Sequence, residues 1–152
     1  MRQFFKRVMA WVLAIITTVV LGVALQTQNV LARLGDIGAD VSLSERLSMT
    51  TYDIFRFGSL YVIFVTPALL IAILICDIIA KRIKFARPLV YAIGGAAAIL
   101  VMLFAMKMRF FDIHLLNGAK DALGISLQML AGAIGGLIFA MFYRPAQAEA
   151  KQ

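Results

Sequence analysis

The sequence predicts an all-α fold: an integral membrane four-helix bundle, multi-pass, with a short structured external segment between helices 1 and 2. Three observations predict it. The 152 residues are 62% hydrophobic and 15% charged, whereas a soluble domain is about half apolar and about a quarter charged. The apolar residues fall in long blocks rather than in alternation, which is the membrane signature. Between two of those blocks lies the turn Lys81-Arg82-Ile83-Lys84-Phe85-Ala86-Arg87-Pro88, with four cations and no acid. Excess Lys and Arg in a short loop mark the cytoplasmic side, and acids count for little.

The expected unit is a single four-span membrane domain, residues 1–152, with spans at about 8–25, 57–80, 89–106 and 122–143. An external segment (26–56), a cytoplasmic loop (81–88), an external loop (107–121) and a cytoplasmic tail (144–152) connect and close them. The first span follows a basic start, Arg2, Lys6 and Arg7. The small residues Gly22-Val23-Ala24 also suit a secretory signal cleaved after Ala24, but a run of about 18 residues is long enough to span as a helix. An uncleaved first helix is the expectation, and the rest of the topology is the same in either case.

The external segment is polar but patterned. Val30, Leu31 and Leu34 continue at helical spacing toward Gly35, a stop signal. Ser42-Leu43-Ser44-Glu45 matches a capping box. Leu43 and Leu47 share one face of a short helix suited to a bilayer surface. Thr50 is expected to cap the second span, and Tyr52, Phe55, Phe57 and Tyr61 to form an aromatic belt where it enters the membrane.

Within the second span Pro67 removes one backbone hydrogen bond and predicts a kink over 63–67, with Thr66 beside it to satisfy a freed carbonyl. Asp77 and Lys81 are spaced as an i,i+4 pair at the cytoplasmic boundary. Pro88 suits the first turn of the third span, which carries Gly94, Gly95 and Ala98. The fourth carries Gly124, Gly132, Gly136 and Ala140, and Gly132-x-x-x-Gly136 is the small-residue pattern that lets helix backbones approach closely. In an antiparallel hairpin the two glycine patches lie at nearly one depth, facing each other or a partner chain. Orientation rests on Lys and Arg alone, nine inside against six outside. Compact loops and the basic amino terminus point to a bacterial inner (plasma) membrane with both termini cytoplasmic.

Several function classes lose support. The net charge of +7 comes from cations at the ends of apolar runs, not from a basic face with interleaved aromatics, so no nucleic-acid partner is expected. Cys76 is the only cysteine and His114 the only histidine. An intrachain disulfide, a bis-histidine haem and a His-rich metal site are therefore excluded. No span holds an ionisable group near its centre, which counts against a coupled transporter. The outer acids Asp36, Asp40, Glu45 and Asp53 match no calcium loop. No catalytic, cofactor or metal site is expected.

The leading reading is a non-enzymatic accessory, assembly or scaffolding subunit. Its partners are membrane lipids and other membrane-protein chains or copies of itself, met through Gly94, Gly95, Ala98, Gly132 and Gly136. An alternative is an oligomeric channel or a lipid or small-molecule transporter, with Thr18, Thr66 and Gln128 lining the path and Pro67 as hinge. A second alternative is a membrane enzyme acting on lipid at the outer face through Asp53, His114 or Arg56.

Overall fold

The computed structural model describes residues 1–36, 38, 41–82, 87–109 and 122–143, with the side chains of Arg2 and Arg109 left aside. Four helices hold nearly all of them: α1 (Arg2–Asp36), α2 (Leu43–Arg82), α3 (Arg87–Arg109) and α4 (Ala122–Phe142). No strand occurs among the described residues. All four helices are long and apolar enough to cross a membrane. Of the expected external loop 107–121, residues 107–109 belong to α3; residues 110–121 with His114, the tail 144–152, Asp40 and residues 83–86 lie outside the described residues.

The helices pack side by side in a ring, α1 against α2 and α4, and α3 against α2 and α4. Arg7 meets Asp77, and Arg87 meets Tyr143. The amino terminus, the end of α2, the start of α3 and the end of α4 therefore share one end, here called the near end.

Helices α1 and α2 outrun the apolar spans read from the sequence. The polar residues between them do not form a separate segment; they prolong both helices. The reason is local. Val30 and Leu31 keep the apolar stripe of α1 going, and no Gly or Pro interrupts α2 between Leu43 and Arg56. At 1.5 Å per residue α1 is about 52 Å long and α2 about 60 Å, against about 34 Å for α3 and about 32 Å for α4.

The α1–α2 corner has clear chemistry. Gly38, rather than Gly35, takes the left-handed conformation that ends α1, with φ +87°, and its amide donates to the Gly35 carbonyl at 3.0 Å. A side chain is strained there, and glycine is not. Ser42 opens α2 with the reciprocal bonds of a capping box. Its amide and its hydroxyl each donate to Glu45 Oε2 at 2.8 Å, and the Glu45 amide donates back to Ser42 Oγ at 3.4 Å. Thr50 caps nothing. It lies inside α2 and donates to the Arg46 carbonyl one turn back, at 2.7 Å.

The core has two apolar clusters. One gathers Ile15, Val19, Tyr61, Leu69, Ile99 and Met102; the other, at the near end, gathers Ala14, Ile73, Cys76, Tyr91 and Phe139. Tyr61 is thus a core residue, 3% exposed, not part of an aromatic belt with Tyr52, Phe55 and Phe57, which stay exposed. The outer faces are as apolar as the core: Ile63, Ile71, Ile93 and Val101 are all exposed.

Candidate functional site

Three of the places where the packed helices carry polar groups or unfilled space bear on function. The first is a buried hydrogen-bonded node. Tyr61 Oη donates to Gln128 Oε1 at 2.8 Å, and Gln128 Nε2 donates to the Gly22 carbonyl at 2.9 Å. This links α2, α4 and α1 across the interior. Glycine at position 22 is what makes room: a Cβ there would stand 2.8 Å from Gln128 Oε1 and 2.9 Å from Tyr61 Cε1. One turn toward the near end, Thr18 is fully buried against Gly135. Its Oγ1 has no hydrogen-bond partner among the described residues, a condition that costs about 1–3 kcal/mol.

The second feature is a polar lock at the near end. Asp77 accepts hydrogen bonds from Arg7 of α1 and from Tyr91 of α3, so α1, α2 and α3 meet on one carboxylate. The expected Asp77–Lys81 pair gives way to this arrangement: Asp77 is half-buried and faces into the bundle, and Lys81 is exposed. Arg87 donates to the Tyr143 carbonyl at 2.7 Å and lies over the rings of Tyr91 (5.4 Å) and Tyr143 (5.9 Å). These contacts bring the end of α4 into the lock.

The third feature is a groove between α2 and α3, about 1060 Å³ in volume. Its length, from Phe64 to Ile79 on α2, is about 22 Å. Small residues set its depth, Ala68 and Ala72 on α2 and Ala97, Ala98 and Ala105 on α3. Larger side chains such as Ile71, Ile75, Ile93 and Val101 form its walls.

The residues singled out from the sequence distribute among these features. Gly95, Gly132 and Gly136 meet one another where α3 and α4 touch backbone to backbone. A Cβ on Gly132 would stand 2.5 Å from the Gly95 carbonyl oxygen, and one on Gly136 would run into the Tyr91 carbonyl. Gly94 faces α2 instead, against Cys76 Sγ, and Ala98 lies at the groove floor. The three facing glycines are occupied within the chain, and α3 and α4 would have to part before a partner reached them.

The four path or hinge candidates are not gathered along one line. Thr18 and Gln128 are buried between α1 and α4, Pro67 lies on the groove, and Thr66 is half-buried on α2. Asp53 accepts from Thr27 at 2.7 Å, whereas Arg56 donates to Tyr52 Oη at 2.6 Å, so these two do not pair. Among the described residues no group of three His, Cys, Asp or Glu side chains is placed to hold a metal ion.

Tyr61 and Gly22 were missed as site residues. The signal for Tyr61 was the buried stripe Gly58, Tyr61, Val65, Leu69, Ile73 and Cys76, spaced by three and four along α2. Gly22 carried no comparable signal, because its role depends on a glutamine 106 residues away. Comparison of the chain with protein-family models, with curated proteins and with solved structures finds no match.

Proposed function

We propose that this chain is a small multi-pass protein of the bacterial inner membrane that works as a non-enzymatic accessory, assembly or scaffolding subunit. It receives one transmembrane helix of a partner protein in the groove between α2 and α3. Both termini and the turn 83–86 lie in the cytoplasm. Lipid as the surrounding solvent is supported by the long exposed apolar faces, since apolar patches of this extent are rare on proteins in water. The orientation is supported by the excess of Lys and Arg at the near end.

The observation that carries the docking reading is the row of alanines along the groove. Lipid tails pack against any apolar surface, but a second helix needs small residues for its backbone to come close. A helix with its side chains is about 10–12 Å across, and the groove offers it about 22 Å of length. Gly132 and Gly136 of α4 are already occupied by α3 and Gly135 by α1, whereas the alanine row is a small-residue surface still open.

A photo-crosslinking amino acid placed at Ile71 or Val101 in the groove, and at Ile16 or Val20 on the exposed face of α1, tests this in the native membrane. One discrete protein adduct from the groove positions, absent from the α1 positions and lost in the double variant Ala72→Phe, Ala97→Phe, is the expected result. Adducts to lipid alone, or the same adducts from both faces, would overturn it.

A further inference from the structure

Two guanidinium groups meet one ring at the near end. Arg7 of α1 lies over the Tyr143 ring, its Cζ 5.6 Å from the centroid, and Arg87 of α3 lies over the same ring at 5.9 Å. Two like charges held against one ring repel each other unless an anion offsets them. Asp77 offsets the first by pairing with Arg7. The second has no such counterpart. Arg87 donates to the Tyr143 carbonyl and rests on the Tyr91 ring, and among the described residues no carboxylate pairs with it.

The surroundings add to this imbalance. Lys6, Arg7, Lys81, Arg82 and Arg87 stand at this end against Asp77, the single acid there among the described residues. Asp77 is already engaged by Arg7 and by the Tyr91 hydroxyl. The arginines can be reached from outside: the Arg7 side chain is 37% exposed, and Arg87 and Tyr143 are half-buried. A guanidinium carries five N–H groups in a planar fork, so Arg87 keeps donors for an incoming oxygen after its bond to the carbonyl. Phe4, one turn before Arg7, and Phe142, beside Tyr143, are exposed apolar side chains against which an acyl chain can lie.

We propose that the near end binds an anionic phosphate group at Arg87 and Arg7, over the Tyr143 ring. The planar fork matches phosphate oxygens in a way that a lysine ammonium does not, and basic pockets between membrane helices take anionic heads. A zwitterionic head is the poorer fit, since it brings its own cation among those already present. The same chemistry is available from an anionic phospholipid or from free phosphate. The site rests on lipid being the surrounding solvent and does not depend on the docking groove.

The test uses the full chain in phosphatidylcholine nanodiscs into which phosphatidylglycerol is introduced stepwise, with the thermal midpoint as readout. For the unsubstituted chain the midpoint is expected to rise and to saturate with the phosphatidylglycerol fraction. The rise should be lost in Arg87→Gln. In Arg87→Lys it should persist but require more phosphatidylglycerol, because the charge is kept and the fork is not; this variant carries the comparison if the first fails to fold. Lys81→Gln removes the same charge from an exposed side chain at the same end and should keep the rise.

Inorganic phosphate titrated in pure phosphatidylcholine nanodiscs identifies the source, and both of its outcomes support the site. The same saturating rise marks a free anion, and no effect beside a phosphatidylglycerol response marks the lipid. A midpoint indifferent to both, a rise that never saturates, or an equal loss in Lys81→Gln and Arg87→Gln would overturn the proposal, the last by showing diffuse attraction in place of a site. A chain that stays dispersed in water without nanodisc or detergent would instead overturn the membrane reading.

Discussion

Gly95 and Gly58 are both buried helix glycines, yet they carry opposite expectations. A Cβ on Gly95 would collide with the Gly132 carbonyl oxygen, a backbone atom that yields only if α3 and α4 separate. A Cβ on Gly58 would meet nothing nearer than Val19 Cγ1 at 3.5 Å, an ordinary contact. Gly95→Ala is therefore expected to destabilise by about 1–3 kcal/mol, the usual cost of overpacking. Gly58→Ala should stabilise by about 0.5–1 kcal/mol, because alanine loses less backbone freedom in a helix. Reversible unfolding in mixed micelles checks both signs, and the same sign for both would contradict the packing described. Sequence spacing pointed to Gly132 and Gly136 as contact residues because small residues recur every fourth position, and to Gly95 because its patch lies at nearly the same depth in an antiparallel hairpin. Whether the patches face each other or a partner chain stayed open, since that requires the crossing point of the two helices. Tyr61 failed in a different way: an aromatic near a span boundary reads as an interfacial anchor unless its buried partner, Gln128, is known.

At the scale of the element, α2 depends on its first turn. Ser42 holds the Glu45 carboxylate with two bonds, and these lower its pKa from the ordinary value, the side-chain bond first and the backbone bond second. A carboxyl whose pKa falls on folding contributes stability above its unfolded pKa and loses it as the pH drops through the lower, folded value. The start of α2 should therefore fray on acidification through that window. Amide protection factors over residues 42–46, corrected for intrinsic exchange, are expected to show this step. The step should vanish in Glu45→Gln, and a step of equal size in that variant would show that another group is responsible. This turn was readable beforehand because a capping box is local, four residues long. The length of the helix behind it was not, because the polar residues 43–56 were weighed by their lack of hydrophobicity. What decides their structure is the absence of any breaker and the packing of Thr27 and Gln28 of α1 against Asp53 and Thr50.

For the whole molecule, the near-end contacts bring the amino terminus, the end of α2 and the start of α3 to one end. With Cys76 buried, single cysteines introduced at Glu45 and Arg82 serve as reporters of sidedness. Under the proposed orientation an impermeant maleimide should label Glu45→Cys in intact spheroplasts and Arg82→Cys only after lysis, and the reverse pattern would invert the topology. The four-helix architecture was legible because block hydrophobicity and length are properties of single segments. The lock on Asp77 was not. Lys81 is its nearest cation along the chain, whereas Arg7 reaches it only after the helices have closed into a ring.

That ring has an implication for the order in which the chain is made. Arg7 is synthesised 70 residues before Asp77, and the Gly22 carbonyl precedes Gln128 by 106 residues. The first helix therefore leaves the ribosome without the partners that later hold it and must wait beside its successors until the last one arrives. The finished arrangement is sealed late, by α4, and a nascent chain halted before residue 128 would hold α1 by its contacts with α2 and by the Asp77 tie alone.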